Sequence, residues 1–111
     1  MTLEEKIQLA PETITFPEVI AHIDAHYDFT PARFTNGTTV NEAGQNNGSC
    51  KIFSFAKLHG LTQDQTLALF GDYYRVDVLG NPDGTDHQNI RNFIQGGWEG
   101  IRFEGEALKE K

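Results

Sequence analysis

Three of the five threonines that are followed three residues later by a glutamate or glutamine constrain this chain more than any other pattern in it: Thr2 with Glu5, Thr15 with Glu18, and Thr62 with Gln65. A threonine hydroxyl at a helix N-cap accepts a first-turn N–H, and the acid or amide three positions on bonds back to the cap. Each pair therefore marks where a helix begins. The first helix must stop before Pro11. The second carries Pro17 in its first turn, where a missing N–H costs little, and runs to about Tyr27 with Val19, Ile20, Ile23 and Tyr27 on one face. The helix begun by Thr62 turns Leu67, Phe70 and Tyr74 inward and is expected to stop before the turn Asn81-Pro82-Asp83-Gly84.

Two further helices are read from other signals. Ser49 reads as the N-cap of a helix ending at His59-Gly60, with Ile52, Phe55 and Ala56 on one face and Phe53 beside them. Thr85 or Asp86 caps the last helix, buried through Ile90, Phe93 and Ile94 and ended by Gly96-Gly97. Asn36-Gly37, between Phe34-Thr35 and Thr38-Thr39-Val40, predicts a two-residue hairpin turn with positive φ at both central residues. Ile101 and Phe103 suit a short strand, Trp98 suits the core, and the last four residues read as frayed. These elements predict one domain over 1–111, mainly helical, with about five helices around a Phe-rich core and a small β-ribbon. An α+β arrangement is the alternative class.

Composition narrows function. Eight Phe, three Tyr and one Trp supply a core that needs no metal or disulfide, and the single cysteine excludes an internal disulfide. Sixteen acidic against nine basic residues give a formal charge of −7, which opposes nucleic-acid and anionic-membrane binding. No apolar run approaches the ~18 residues of a membrane span. The start, MTLEEKIQLAPET, has neither the basic nor the apolar region of a secretory signal, so synthesis in the cytoplasm as a soluble protein is expected.

The runs FTNGTTVNEAGQNNGSCKIFSFAKLHGL, TLALFGDYYRVDVL and GTDHQNIRNFIQGGWEGIRFEGEAL resemble the HopJ type III effector family, from about Ile14 to Leu108. That resemblance implies a bacterial protein of a kind delivered into plant cells by type III secretion. It implies no catalytic activity and assigns no catalytic residue.

The residues themselves offer three candidate chemistries. Cys50 falls in the first turn of a helix, where free N–H groups and the helix dipole favour a thiolate. His87 could serve as its base, Asp86 or Asn89 as the orienter of His87, and Gln45 as an oxyanion donor. The order Gln45, Gly48-Ser49-Cys50 resembles the papain-like pattern, with Lys51 where an aromatic is expected. The opposing reading is a small cysteine packed beneath the loop. Glu18, His22 and His26 form a stripe at helical spacing that could meet zinc, against the simpler reading of a solvated face with Glu–His pairs. His87 and Arg91 stand one turn apart at a helix start that could take an anion, although Asp86 as cap and Arg91 as a structural ion pair need only ordinary helix chemistry.

Asn36 and Asn47 have turn roles, whereas Asn41 and Gln45 do not, which marks the latter as binding candidates along with Asn46, Asn89 and Arg91. The reading preferred from sequence is a small monomeric interaction domain for a host or bacterial protein, without cofactor or metal. A thiol hydrolase or transferase built on Cys50 and His87 is the alternative. The two differ on geometry: catalysis needs those residues within hydrogen-bond reach in an open cleft.

Overall fold

The computed structural model describes residues 1–111. Its helices are α1 (Leu3–Leu9), α2 (Phe16–His26), α3 (Asn47–Leu58), α4 (Gln63–Ala68) and α5 (Gln88–Gly96), with a π-helical segment at Tyr73–Val78. Its strands are β1 (Tyr27–Phe29), β2 (Phe34–Asn36), β3 (Thr39–Asn41), β4 (Ile101–Phe103) and β5 (Leu108–Glu110). All three threonine boxes close as capping boxes. Thr2, Thr15 and Thr62 accept from the N–H groups of Glu5, Glu18 and Gln65 at 3.2, 3.4 and 3.1 Å, and each partner side chain bonds back to its threonine N–H.

The strands form two small antiparallel sheets, β3-β2-β4 and β1-β5, so the fold is α+β with helices predominating. Phe53 sits fully buried at the centre, its ring 5.0 Å from Phe93, 5.4 Å from Phe70 and 6.0 Å from Phe34. Trp98 closes this aromatic core from its edge, half-buried, donating from Nε1 to the Leu61 carbonyl at 3.0 Å. Burying one polar tip against a carbonyl is the usual way a core accepts indole.

Five expectations are corrected. The hairpin turn is Gly37-Thr38, because Asn36 pairs with Thr39, and only Gly37 takes positive φ (+63°). That register keeps Phe34 and Asn36 on the buried face; a slip of one residue would expose both.

The helix begun at Thr62 is broken at Gly71, whose φ is +62° and whose missing Cβ would lie 2.7 Å from the Phe16 backbone nitrogen. The chain crosses the start of α2 there, where only glycine fits, and resumes as the π segment; Arg75 then holds the Pro11 and Ile14 carbonyls.

The final residues are not frayed, since β5 pairs with β1 from Tyr27↔Glu110 to Phe29↔Leu108, and Ala107 and Leu108 are buried.

The helix starts are the fourth correction. Ser49 caps nothing, because α3 begins two residues earlier after Asn46, and α5 begins after His87 rather than Thr85 or Asp86. Both N-cap residues adopt left-handed backbone, φ 51° and 49°, and neither supplies a side-chain bond to its helix. Ile94 of α5 also faces outward rather than into the core.

Candidate functional site: a cleft between two helix starts

The two uncapped starts face one cleft of about 350 Å³, lined by Asn46, Gly48 and Ser49 from α3 and by His87, Gln88, Asn89 and Ile90 from α5. Phe16, Phe70, Tyr73 and Thr39 complete its walls. The aromatic wall is internally packed: Phe16 meets Tyr73 edge-on at 5.0 Å, and the His87 ring lies 5.2 Å from Tyr73. In a chain with sixteen carboxylates, not one lines this cleft. First-turn N–H groups with no capping side chain are the ordinary recognition elements for carboxylate or phosphate oxygens.

Beneath the cleft runs a network of amides. Asn36 and Asn41 are fully buried and Asn89 almost so. Asn36 Nδ2 donates to the Asn89 carbonyl at 2.7 Å and to Asn89 Oδ1 at 3.1 Å. Asn41 Nδ2 donates to the same Oδ1 at 3.1 Å, and Asn89 Nδ2 returns a bond to Asn41 Oδ1 at 2.9 Å. Asn46 Nδ2 reaches Asn41 Oδ1 at 2.7 Å, which ties the start of α3 to the hairpin. Asn92 Nδ2 donates to the Asn36 carbonyl at 3.0 Å and to Thr39 Oγ1 at 2.8 Å. Within it only Asn36 Oδ1 is buried without a partner, and a network so nearly satisfied rigidifies what it joins. Here it holds the hairpin and both helix starts in one arrangement.

The structure places the proposed catalytic residues apart in role. Cys50 is 1% exposed, on the inner face of α3, with Sγ directed at the Ala32 carbonyl at 3.7 Å. Burial pushes its thiol above the ordinary range, the opposite of the thiolate expected from its place in a first turn. His87 lines the cleft but turns Nε2 to the Asp77 carboxylate at 3.1 Å, and no hydrogen bond joins it to Cys50. Asp86 takes Arg91 at 2.6 Å, and that hydrogen bond holds its carboxyl below the usual range. Arg91 is further spent on the carbonyls of Asn81, Pro82 and Asp86, so it staples the preceding turn instead of facing a ligand. Gln45 Oε1 accepts from the Glu42 N–H at 3.2 Å and closes the loop locally.

The Glu–His pairing of the histidine stripe is made with Glu4 of α1 rather than with Glu18. Glu18 is engaged by Lys6 at 2.8 Å, while His22 turns to Glu4 at 3.4 Å. His26 and His22 stack with ring centres 4.3 Å apart, and no group of three or more His, Cys, Asp or Glu side chains is placed to hold a metal ion.

Of the candidate residues, Asn46, His87 and Asn89 meet at the cleft, with Asn41 directly behind them. Phe16, Tyr73 and Thr39 were not legible as site residues, because each reaches the cleft from an element distant in sequence. Asn36 was legible in part: it shares strand parity with the buried Phe34, which places an amide on the inner face.

The comparisons agree with this architecture. A solved structure titled "Crystal structure of unknown function protein VPA0580" is similar to this chain, at 54% sequence identity and TM-score 0.96, covering 100% of this chain and 95% of that one. Among curated proteins none matches. No helix is long and apolar enough to cross a membrane. Residues 1–108 match the model of the family described as HopJ type III effector protein, and the chain belongs to that family.

Proposed function

We propose that this chain is an effector-like protein-interaction domain that acts as a monomer and docks a segment of a host or bacterial protein in the cleft between α3 and α5. One observation carries the reading: two uncapped helix starts converge on a single carboxylate-free cleft in a chain of charge −7. An acidic side chain of the partner would meet unpaired N–H groups and the positive ends of two helix dipoles without local repulsion. The aromatic wall of Phe16 and Tyr73 would take its apolar neighbours. The reading involves no cofactor, nucleic acid or membrane surface. Family membership supports synthesis in a bacterial cytoplasm and delivery into a host cell by type III secretion. Nothing in the geometry favours the thiol hydrolase or transferase, since Cys50 is covered and His87 is engaged by Asp77.

The test is photo-crosslinking from position 88 in the cleft and, as control, from exposed Leu9. The protein captured only from position 88 is then titrated against wild type and Gln88→Glu. A like charge placed in the cleft is expected to weaken binding about tenfold, or ~1.4 kcal/mol. Capture of the same proteins from both positions, or unchanged affinity in Gln88→Glu, overturns the reading.

A further inference from the structure

The chain holds two Asn-Gly steps, Asn36-Gly37 and Asn47-Gly48. At such a step the asparagine side chain is open to attack by the next backbone nitrogen, because glycine has no Cβ to hinder approach or to restrict rotation. The fold treats the two in opposite ways. Asn36 is fully buried with its amide held by Asn89, and the attacking group, the Gly37 N–H, is donated to the Gly100 carbonyl at 3.0 Å. Ring closure there would have to break both sets of bonds.

Asn47 is exposed and its side chain makes no hydrogen bond within the protein. It is the first residue of α3, and the left-handed Asn46 before it supplies no side-chain cap. The Gly48 N–H is therefore one of the orphan donors of the first turn, with nothing to hold it. Ring closure needs only the Asn47–Gly48 peptide to rotate until the Gly48 nitrogen reaches Asn47 Cγ, and no hydrogen bond of the Gly48 N–H or of the Asn47 side chain opposes it.

We infer that Asn47 is a site of spontaneous deamidation and that Asn36 is protected from it by the fold. The Gly48 nitrogen attacks Asn47 Cγ; the new N–Cγ bond forms as Cγ–Nδ2 breaks, and the displaced proton leaves with ammonia. Water then opens the cyclic imide at either carbonyl and leaves aspartate or isoaspartate at position 47. Conversion adds one negative charge between Asn46 and Gly48, two residues that line the cleft. An aspartate there faces the positive end of the α3 dipole and leaves the helix formed, whereas isoaspartate lengthens the backbone and disrupts the first turn.

The intact protein is incubated at neutral to mildly alkaline pH and mapped by tryptic mass spectrometry, in which one peptide, Phe34–Lys51, carries both sites. Fragment ions are expected to place conversion at 47 roughly tenfold or more ahead of 36 in the folded protein. In urea the two sites are expected to convert at similar rates, and Asn47→Gln is expected to reduce folded-state conversion of the peptide to the level of position 36. Equal conversion at both sites in the folded protein overturns the inference. So does an intact Asn47 over a period in which the unfolded chain is fully converted.

Discussion

Asn41 and Asn89 exchange side-chain hydrogen bonds in both directions, Asn89 Nδ2 to Asn41 Oδ1 at 2.9 Å and Asn41 Nδ2 to Asn89 Oδ1 at 3.1 Å. This reciprocal pair couples the end of the hairpin to the first turn of α5, across 48 residues of sequence. Both side chains are buried, Asn41 fully and Asn89 almost so.

Removing Asn89 should therefore cost more than one hydrogen bond. In Asn89→Ala the buried Nδ2 groups of Asn36 and Asn41 lose the Asn89 Oδ1 acceptor and Asn41 Oδ1 loses a donor, while Asn36 keeps the Asn89 backbone carbonyl; each bond lost at a buried group costs ~1–3 kcal/mol. Urea denaturation is expected to show a loss of about 3 kcal/mol. Asn92→Ala, which removes bonds from a half-buried position, should lose roughly 1 kcal/mol.

Cys50 is expected to alkylate slowly in the folded protein. Its pH–rate profile should lie above that of an ordinary thiol, because burial disfavours the thiolate. His87→Ala should leave the rate unchanged, as His87 bonds Asp77 and not the thiol. A fast native reaction that slows in His87→Ala would restore the catalytic pair.

Stability should fall as the solution is acidified through the histidine range. Burial lowers the His22 pKa from its ordinary 6.5; Glu4 opposes the shift, and His26 and His59 add to it. The unfolded chain thus binds that proton more tightly than the folded one. The contribution of neutral His22 is complete above pH 6.5 and is lost as the pH drops below it, levelling off once the folded protein is also protonated. His22→Gln should flatten this part of the profile, measured by denaturation midpoints across the range.

Gly71→Ala should be among the most damaging single substitutions in the chain. The added Cβ meets the Phe16 backbone nitrogen at 2.7 Å, and alanine must also adopt φ +62°. A loss of about 3 kcal/mol or more is expected from strain and displacement of the start of α2. Gly44→Ala, with comparable positive φ but open space around it, should cost only the backbone term of roughly 1 kcal/mol.

What the sequence determined by itself is whatever depends on neighbours three or four residues apart. The capping boxes at Thr2, Thr15 and Thr62, the apolar faces of α2 and α3, and the stop at Gly97 all rest on local bonds and helical period, and all are read correctly from the chain. Tertiary structure decided the remainder. The hairpin turns one residue later than Asn36-Gly37 suggests because Asn89, 53 residues away, holds Asn36 inside. The fourth helix breaks at Gly71 because α2 crosses there, and the C-terminus becomes a strand because β1 offers it an edge. The cleft follows the same rule: its walls come from five separate segments, and Cys50, conspicuous in the sequence, is turned away from it into the core. Local hydrogen bonds leave a signature in the spacing of the chain, whereas which side chain ends up buried, paired or facing solvent depends on contacts that exist only once distant segments have packed.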